Sequence, residues 1–357
     1  MIPFRLIDSG VAEGRRQIAC DAALTELHEA GRVPDTLRFL RFPPTVLIGL
    51  HQSMPREVRV ERCRAEGVGL VRRVSGGGAI YLDPGQVGWE LVFHRTTLPE
   101  TDLGGIARII CEAVAGGLSD AFGIDARFRP RNDIEVAGRK LSGTGGFWQG
   151  DTMVYQGTVL VDMDAARVRD LLNVPAAKLA RHGAADAGDR LVTLKALLGE
   201  APSVEAVQEA VRAGLAKHLG ITATPAQPTP EETALTEAKL AQEIGTEAFV
   251  MGEPEPMGED VATAEAVHPG GTLRADLRLE GPPGGRRIRE ALVTGDFFVA
   301  PPRVILDLEA HLRGLPAAEA AAATEAFLAA TPTGTLSLPV PAFAAIIAEA
   351  IEEDARP

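Results

Sequence analysis

An α+β fold built on a mixed sheet is predicted by three observations. Short strand-like runs bounded by Gly or charge cluster between residues 81 and 164. Long helical periods flank them without the regular βαβ rhythm of a doubly wound sheet. The chain of 357 residues, at roughly 150 per domain, has room for two domains.

The elements follow in order. Ile18, Ala22, Leu24 and Leu27 fall near helical spacing and predict a first helix over 17–31. LRFLRFPPTVLIGL (37–50) reads as strand, turn and strand, broken at Pro43-Pro44. VGWELVF (87–93), IEVAG (134–138) and YQGTVLVD (155–162) read as strands. Ile106, Ile109, Ile110, Val114, Leu118 and Phe122 place one apolar stripe on a long helix over 104–122, stopped by Gly123. A helix over 203–218 is capped by Ser203 and buries Val204, Val207, Val211 and Leu215. ITATPAQPTPEET (221–233) has three Pro and no apolar period, and reads as an exposed linker. The acidic, Pro- and Gly-rich stretch 251–271 reads as loop. LRADLRL (273–279) alternates Leu273, Ala275, Leu277 and Leu279 on one face, with IREALVTGDFF (288–298) as its partner across GPPGG (281–285). Helices over 302–313, 317–330 and 340–353 complete a small α/β unit.

Composition excludes several classes. Lys plus Arg is 36 against 49 for Asp plus Glu, a net charge of −13. Such a chain lacks the cationic excess that non-specific nucleic-acid binding or an anionic membrane surface demands. No run approaches the roughly 20 apolar residues of a spanning helix, and MIPFRLIDSG is no signal peptide. Three Cys without a CxxC pair make neither a disulfide framework nor a zinc site. A soluble protein of the reducing cytoplasm is expected.

Two glycine-rich basic segments carry the chemistry. In VRRVSGGGAIYLDPGQ (71–86), Arg72 and Arg73 precede Ser75 and the triplet Gly76, Gly77 and Gly78. Consecutive Gly permit positive φ and can aim several N–H groups at one anion. Phosphate or carboxylate binding and a tight turn flanked by surface Arg stand about level on these residues alone. The segment fits neither GxxxxGK[ST] nor GxGxxG. In RNDIEVAGRKLSGTGG (131–146), a strand leads to Lys140 beside a second glycine turn with Gly143, Thr144, Gly145 and Gly146. Lys140 can reach a bound anion as a compact point charge. Asp133 is the nearby acid, able to hold Mg²⁺ or a ribose hydroxyl. The alternative is a charged hairpin tip with no chemistry. Two cationic glycine turns together suit a substrate with more than one negative group, such as a nucleotide meeting a carboxylate.

These segments resemble the signature of lipoate–protein ligases, RRxSGGGxVYHDxGN followed by a strand and GRKxSGxA. The run 48–73 into the motif, YQGTVLVDMD (155–164), ALTEAKLAQEIGTEAF (234–249) and GDFF at Gly295–Phe298 resemble the family too. The likeness extends from about residue 15 to about residue 350. It implies a biotin/lipoate-ligase-like catalytic domain over 1–225, then a linker and a small α/β accessory domain over 226–357. It implies ATP, Mg²⁺ and lipoate as the small molecules, and a lysine of a lipoyl-acceptor domain as the protein partner. Lys140 would be catalytic. Arg72, Arg73, Ser75, Gly76, Gly77, Gly78, Ala79, Asp83, Asp133, Gly143 and Thr144 would bind lipoate or ATP, with Asp133 also on the metal.

Departures are visible. Leu82-Asp83 stands where the family often has His-Asp, Gly85-Gln86 replaces Gly-Asn, Thr144 replaces Ala, and YQGT replaces HHGT at Tyr155-Gln156. Two other readings stay open. One is an octanoyl- or lipoyl-transferase using a Cys nucleophile, yet none of Cys20, Cys63 and Cys111 falls in 122–134, where that branch places it. The other is a non-catalytic acyl-binding scaffold. Arg127, Arg129 and Arg131 are candidates to dock an acidic acceptor domain, or equally a solvated edge strand.

Overall fold

The computed structural model describes residues 1–100, 102–173, 190–282, 284–333 and 335–354. It divides into two compact units. The first holds residues 1–47, 57–72 and 80–250, and the second holds 48–56, 73–79 and 251–357.

The first unit is organised by an eight-stranded mixed sheet. Its strands are β1 (Ile2–Val11), β2 (Thr36–Arg41), β6 (Gln86–His94), β7 (Ala126–Arg129), β8 (Asp133–Val136), β9 (Arg139–Gln149), β10 (Thr152–Leu160) and β11 (Ile221–Pro225). Their order across the sheet is β11-β1-β2-β6-β10-β9-β8-β7. The β1 pairings with β11 and β2 are parallel, and the rest are antiparallel. A smaller sheet joins β3 (Thr45–Ile48), β4 (Gly69–Arg72) and β5 (Ile80–Leu82). The predicted α+β class with a mixed sheet is the one observed.

Helices α1 (Gly14–Glu29), α2 (Leu103–Phe122), α3 (Val204–Leu219) and α4 (Pro230–Gln242) accompany the sheet. Asp102 caps α2 by accepting from Gly105 N, and Gly123 ends it in the left-handed region at φ 66°. Ile106, Ile110, Val114 and Leu118 of α2 are fully buried with Trp89, Leu91, Phe93 and Tyr155 of the sheet. Helices α2 and α3 cross closely at two glycines. A Cβ on Gly117 would lie 2.1 Å from Ala210 O, and one on Gly214 would lie 2.2 Å from Ala113 O.

Two expectations are corrected here. Residues 221–225 are not an exposed linker: Ile221 to Pro225 pair in parallel with Ile2 to Leu6. Residues 230–242 are helix α4, opened by a capping box in which Thr229 and Glu232 exchange hydrogen bonds, with Pro230 in the first turn. Composition suggested a linker because Pro and Thr also suit edge strands and helix starts.

A charged cluster crosses the sheet interior. Arg38 of β2, Glu90 of β6 and Gln156 of β10 lie side by side in register. Arg38 Nε donates to Glu90 Oε2 at 2.8 Å, and its Nη2 donates to Asp21 of α1. Gln156 Nε2 donates to Asp21 Oδ2 at 2.9 Å and to Glu90 Oε1 at 3.0 Å. Arg38, Asp21 and Glu90 are all at most 2% exposed. Gln156 therefore serves this cluster.

The second unit is a three-stranded sheet of β12 (Val261–His268), β13 (Gly271–Glu280) and β14 (Arg287–Gly295), in the order β12-β13-β14. Leu273, Ala275, Leu277 and Leu279 face its core as their alternation predicted. Strand β12 corrects the reading of 261–268 as loop, while the Pro283 position of the β13–β14 turn lies outside the described residues. Helices α5 (Val304–Leu312), α6 (Ala317–Ala330) and α7 (Val340–Asp354) complete the unit.

Strand β14 is a sheet edge, and α5 satisfies it. Val293 N–H donates to Glu309 Oε1 at 2.7 Å. Glu309 is 7% exposed, and burial pushes its carboxyl up to about 7. Its folded value lies above its unfolded one, so this group's contribution favours folding at acid pH and is lost as pH rises toward 7. Glu309→Gln keeps an acceptor for Val293. Thermal melts are expected to show the variant more stable than wild type at pH 8, by up to ~3 kcal/mol, and indistinguishable near pH 4.5. A variant equally destabilised at both pH values would refute this account.

Candidate active site

Lys140 and Asp133 meet on the β8–β9 hairpin of the first unit. Ala137 and Gly138 form its tip with φ 49° and 76°, the paired positive values of a two-residue hairpin turn. The SGTGG segment is not a second glycine turn as expected, because it continues β9 as strand through Gln149. Lys140 Nζ lies 2.6 Å from Asp133 Oδ1, with side chains 31% and 17% exposed. A Cβ on Gly143 would lie 2.6 Å from both Cε and Nζ of Lys140. Gly143, which faces Asp133 across the pair of strands, thus leaves the path the lysine follows.

Behind this pair lies a buried polar trio. Thr144 Oγ1 donates to Asn132 O at 2.8 Å and lies 2.6 Å from Tyr155 OH. Cys111 Sγ sits 3.4 Å from each of those two oxygens. Cys111 is fully buried, and burial pushes its thiol up. Its setting is polar, not the purely apolar one its helix stripe implied. Burial also raises the thiols of Cys20 and Cys63.

In the same unit, Arg72 ends β4 and donates from Nε to Phe249 O at 2.9 Å, with burial lowering its guanidinium to about 10. Asp83 accepts from Gly85 N at 2.8 Å in the β5–β6 turn. Burial, helped by Asp164 and Asp162, raises its carboxyl. Arg127 pairs with Asp125 at 2.8 Å, and Arg129 approaches Glu135 at 3.7 Å. These two candidates for acceptor docking occupy the terminal strand β7 with their charges largely compensated.

The glycine triplet belongs to the second unit, together with Arg73, Ser75 and Ala79. Gly77 has φ 96° and donates its N–H to Phe297 O at 3.2 Å. A Cβ on Gly76 would lie 2.2 Å from that same Phe297 oxygen. Arg73 Nη2 donates to Gly76 O at 2.9 Å and Gly78 O at 3.0 Å, while Ser75 O accepts from Leu50 N. The His51 ring stacks on Phe297 at 5.1 Å, and His51 O accepts from Gly295 N. The triplet's small size thus admits the GDFF segment. That pairing was illegible in the sequence, because neither motif points to the other.

Among the described residues no three His, Cys, Asp or Glu side chains converge as metal ligands. Asp133 Oδ1 is already held by an ammonium. A Mg²⁺ that takes one or two protein carboxylates and shares the phosphates of its substrate would be held here by Asp133, the carboxylate paired with Lys140.

The family model for the lipoyl protein ligase A/B catalytic domain matches residues 13–216, more than half of the chain. The chain belongs to the lipoyl protein ligase A/B family. This family member is 33% identical over 269 residues to octanoyltransferase LipM of Symbiobacterium thermophilum, spanning 98% of that protein but 70% of this chain. Among solved structures it resembles P. falciparum LipL1 in complex with lipoate, with TM-score 0.74, 16% identity and coverage of 98% of this chain and 99% of that one. It also resembles a lipoate-protein ligase A bound with ATP, with TM-score 0.61, 24% identity and coverage of 70% and 99%. Both likenesses establish the biotin/lipoate-ligase-like fold. Among the described residues no helix is long and apolar enough to cross a membrane.

Proposed function

We propose that this ligase A/B family member is an ATP-dependent lipoate–protein ligase. One observation carries the choice over the transferase: no cysteine is poised beside Lys140. The thiol nearest that strand, Cys111, is fully buried, bonded to Thr144 and Tyr155, and raised in pKa. Thioester chemistry needs an accessible thiolate. Adenylate chemistry needs none. It needs cationic donors where charge gathers.

A lipoate carboxylate oxygen bonds to the α-phosphorus of ATP as the bond to the β-phosphate oxygen breaks, and pyrophosphate leaves with the electron pair. An acceptor lysine's neutral amine then attacks the acyl carbonyl, the amide forms, and AMP leaves. In this proposal Lys140 holds the carboxyl and α-phosphate oxygens in both steps, and Asp133 positions its ammonium. Roles of Arg72, Arg73, Ser75, Gly76, Gly77, Gly78, Ala79, Asp83, Gly143 and Thr144 toward lipoate or ATP belong to the same proposal. The partner is a lysine of a lipoyl-acceptor domain. A Mg²⁺ held by Asp133 would, when bound, neutralise charge on the phosphates.

A transferase is the second reading, favoured by the LipM likeness along 98% of that relative. One assay separates the two. Free lipoate and ATP are incubated with and without an apo-lipoyl domain, and octanoyl-acyl carrier protein is offered in parallel. Lipoate-dependent pyrophosphate release with lipoyl-lysine formation is expected. No pyrophosphate, with octanoyl transfer from the carrier thioester, would replace the ligase by the transferase.

A further inference from the structure

The chain returns to Lys140 at residues 190–192. Leu191 bridges Lys140 in parallel, and Val192 N donates to Lys140 O at 2.9 Å. Arg190 opens this return and is partly buried. Among the described residues its side chain makes no hydrogen bond or ion pair. Burial lowers its pKa, with repulsion from Arg129 acting the same way, and together they outweigh the attraction of Asp133.

A guanidinium offers five donors, and holding it partly dehydrated without a partner is costly. The nearby acid, Asp133, is already engaged by Lys140 at 2.6 Å, and Arg129 leans toward Glu135 at 3.7 Å. Three cations, Lys140, Arg190 and Arg129, thus share two carboxylates, with the unspent donors on Arg190. Such a surplus suits a polyanion more than a single carboxylate.

We propose that Arg190 binds the β- and γ-phosphate oxygens of the nucleotide, holding the departing pyrophosphate while Lys140 serves the α-phosphate. This rests on the ATP-dependent reading above. It makes Arg190 specific to the first half-reaction, because the acyl-adenylate has lost those phosphates.

The test compares full-length wild type, Arg190→Gln and Arg190→Lys. Binding of inorganic pyrophosphate is measured by calorimetry, adenylation by pyrophosphate release against ATP concentration, and transfer by lipoyl-lysine formation from synthetic lipoyl-AMP. Arg190→Gln is expected to weaken pyrophosphate binding and raise the KM for ATP, each about 10- to 100-fold, the scale of a lost charge-assisted contact. Transfer should fall by less than about threefold, and Arg190→Lys should recover part of the loss. Unchanged pyrophosphate affinity, or an equal fall in both half-reactions, would overturn the assignment. If wild type releases no pyrophosphate from ATP and lipoate, the ligase reading fails. The binding arm then still reports whether Arg190 is the anion site.

Discussion

Lys140→Ala is expected to lower lipoate-dependent pyrophosphate release by at least about a hundredfold, the scale of removing one preorganised charge donor. The fold should survive, because the lost ion pair is partly exposed and such pairs contribute little to stability. Gly143→Ala is the sharper companion. Its new Cβ would meet only the flexible end of Lys140, 2.6 Å from Cε and Nζ. The strand can therefore form, but the ammonium must move away from Asp133. A melting temperature near wild type with a large loss of adenylation in both variants would place the lysine's position, not only its charge, in the chemistry. Full activity in Gly143→Ala would show that its path over Gly143 is unimportant.

Arg38→Met should produce the largest loss of stability, about 3–5 kcal/mol, because it leaves Asp21 and Glu90 buried together without their cation. Gln156 gives each carboxylate one N–H donor but no charge. In wild type, burial and Glu90 already push Asp21 up to about 7 against the pull of Arg38. A raised carboxyl favours folding at low pH and loses that contribution as pH rises. The variant's deficit should therefore be greatest at pH 8 and shrink toward pH 5, as read by urea denaturation at both. Replacing Asp21, Arg38 and Glu90 together by apolar residues should cost less than Arg38→Met alone. A deficit independent of pH would show that lost packing, not stranded charge, governs the site.

The sequence made local structure legible wherever the signal was local. The apolar stripe of 104–122, the Ser203 cap and the alternation at 273–279 each announce one element through neighbouring residues, and each is present. Long-range pairings were hidden. Ile221–Pro225 finds its partner at the opposite end of the first unit, in Ile2–Leu6. Gly76 is small because of Phe297, and Gln156 answers Asp21 and Glu90 rather than its motif neighbours. At the candidate site, Lys140 and Asp133 stood out as charges flanking glycines. Arg190 did not, since only the backbone return through Leu191 and Val192 brings it to that hairpin.

The glycine loop's attachment to Phe297 sets an order of events during synthesis. Gly76 leaves the ribosome about 220 residues ahead of Phe297. At about 5–20 residues per second, this is a wait of roughly ten to forty seconds. Throughout that interval the nascent chain can assemble sheet strands already translated, but its RRVSGGGA segment lacks the backbone against which it packs. A message truncated before Phe297 would leave the loop in that immature state permanently. Translation past Phe297 thereby becomes a checkpoint on loop maturation.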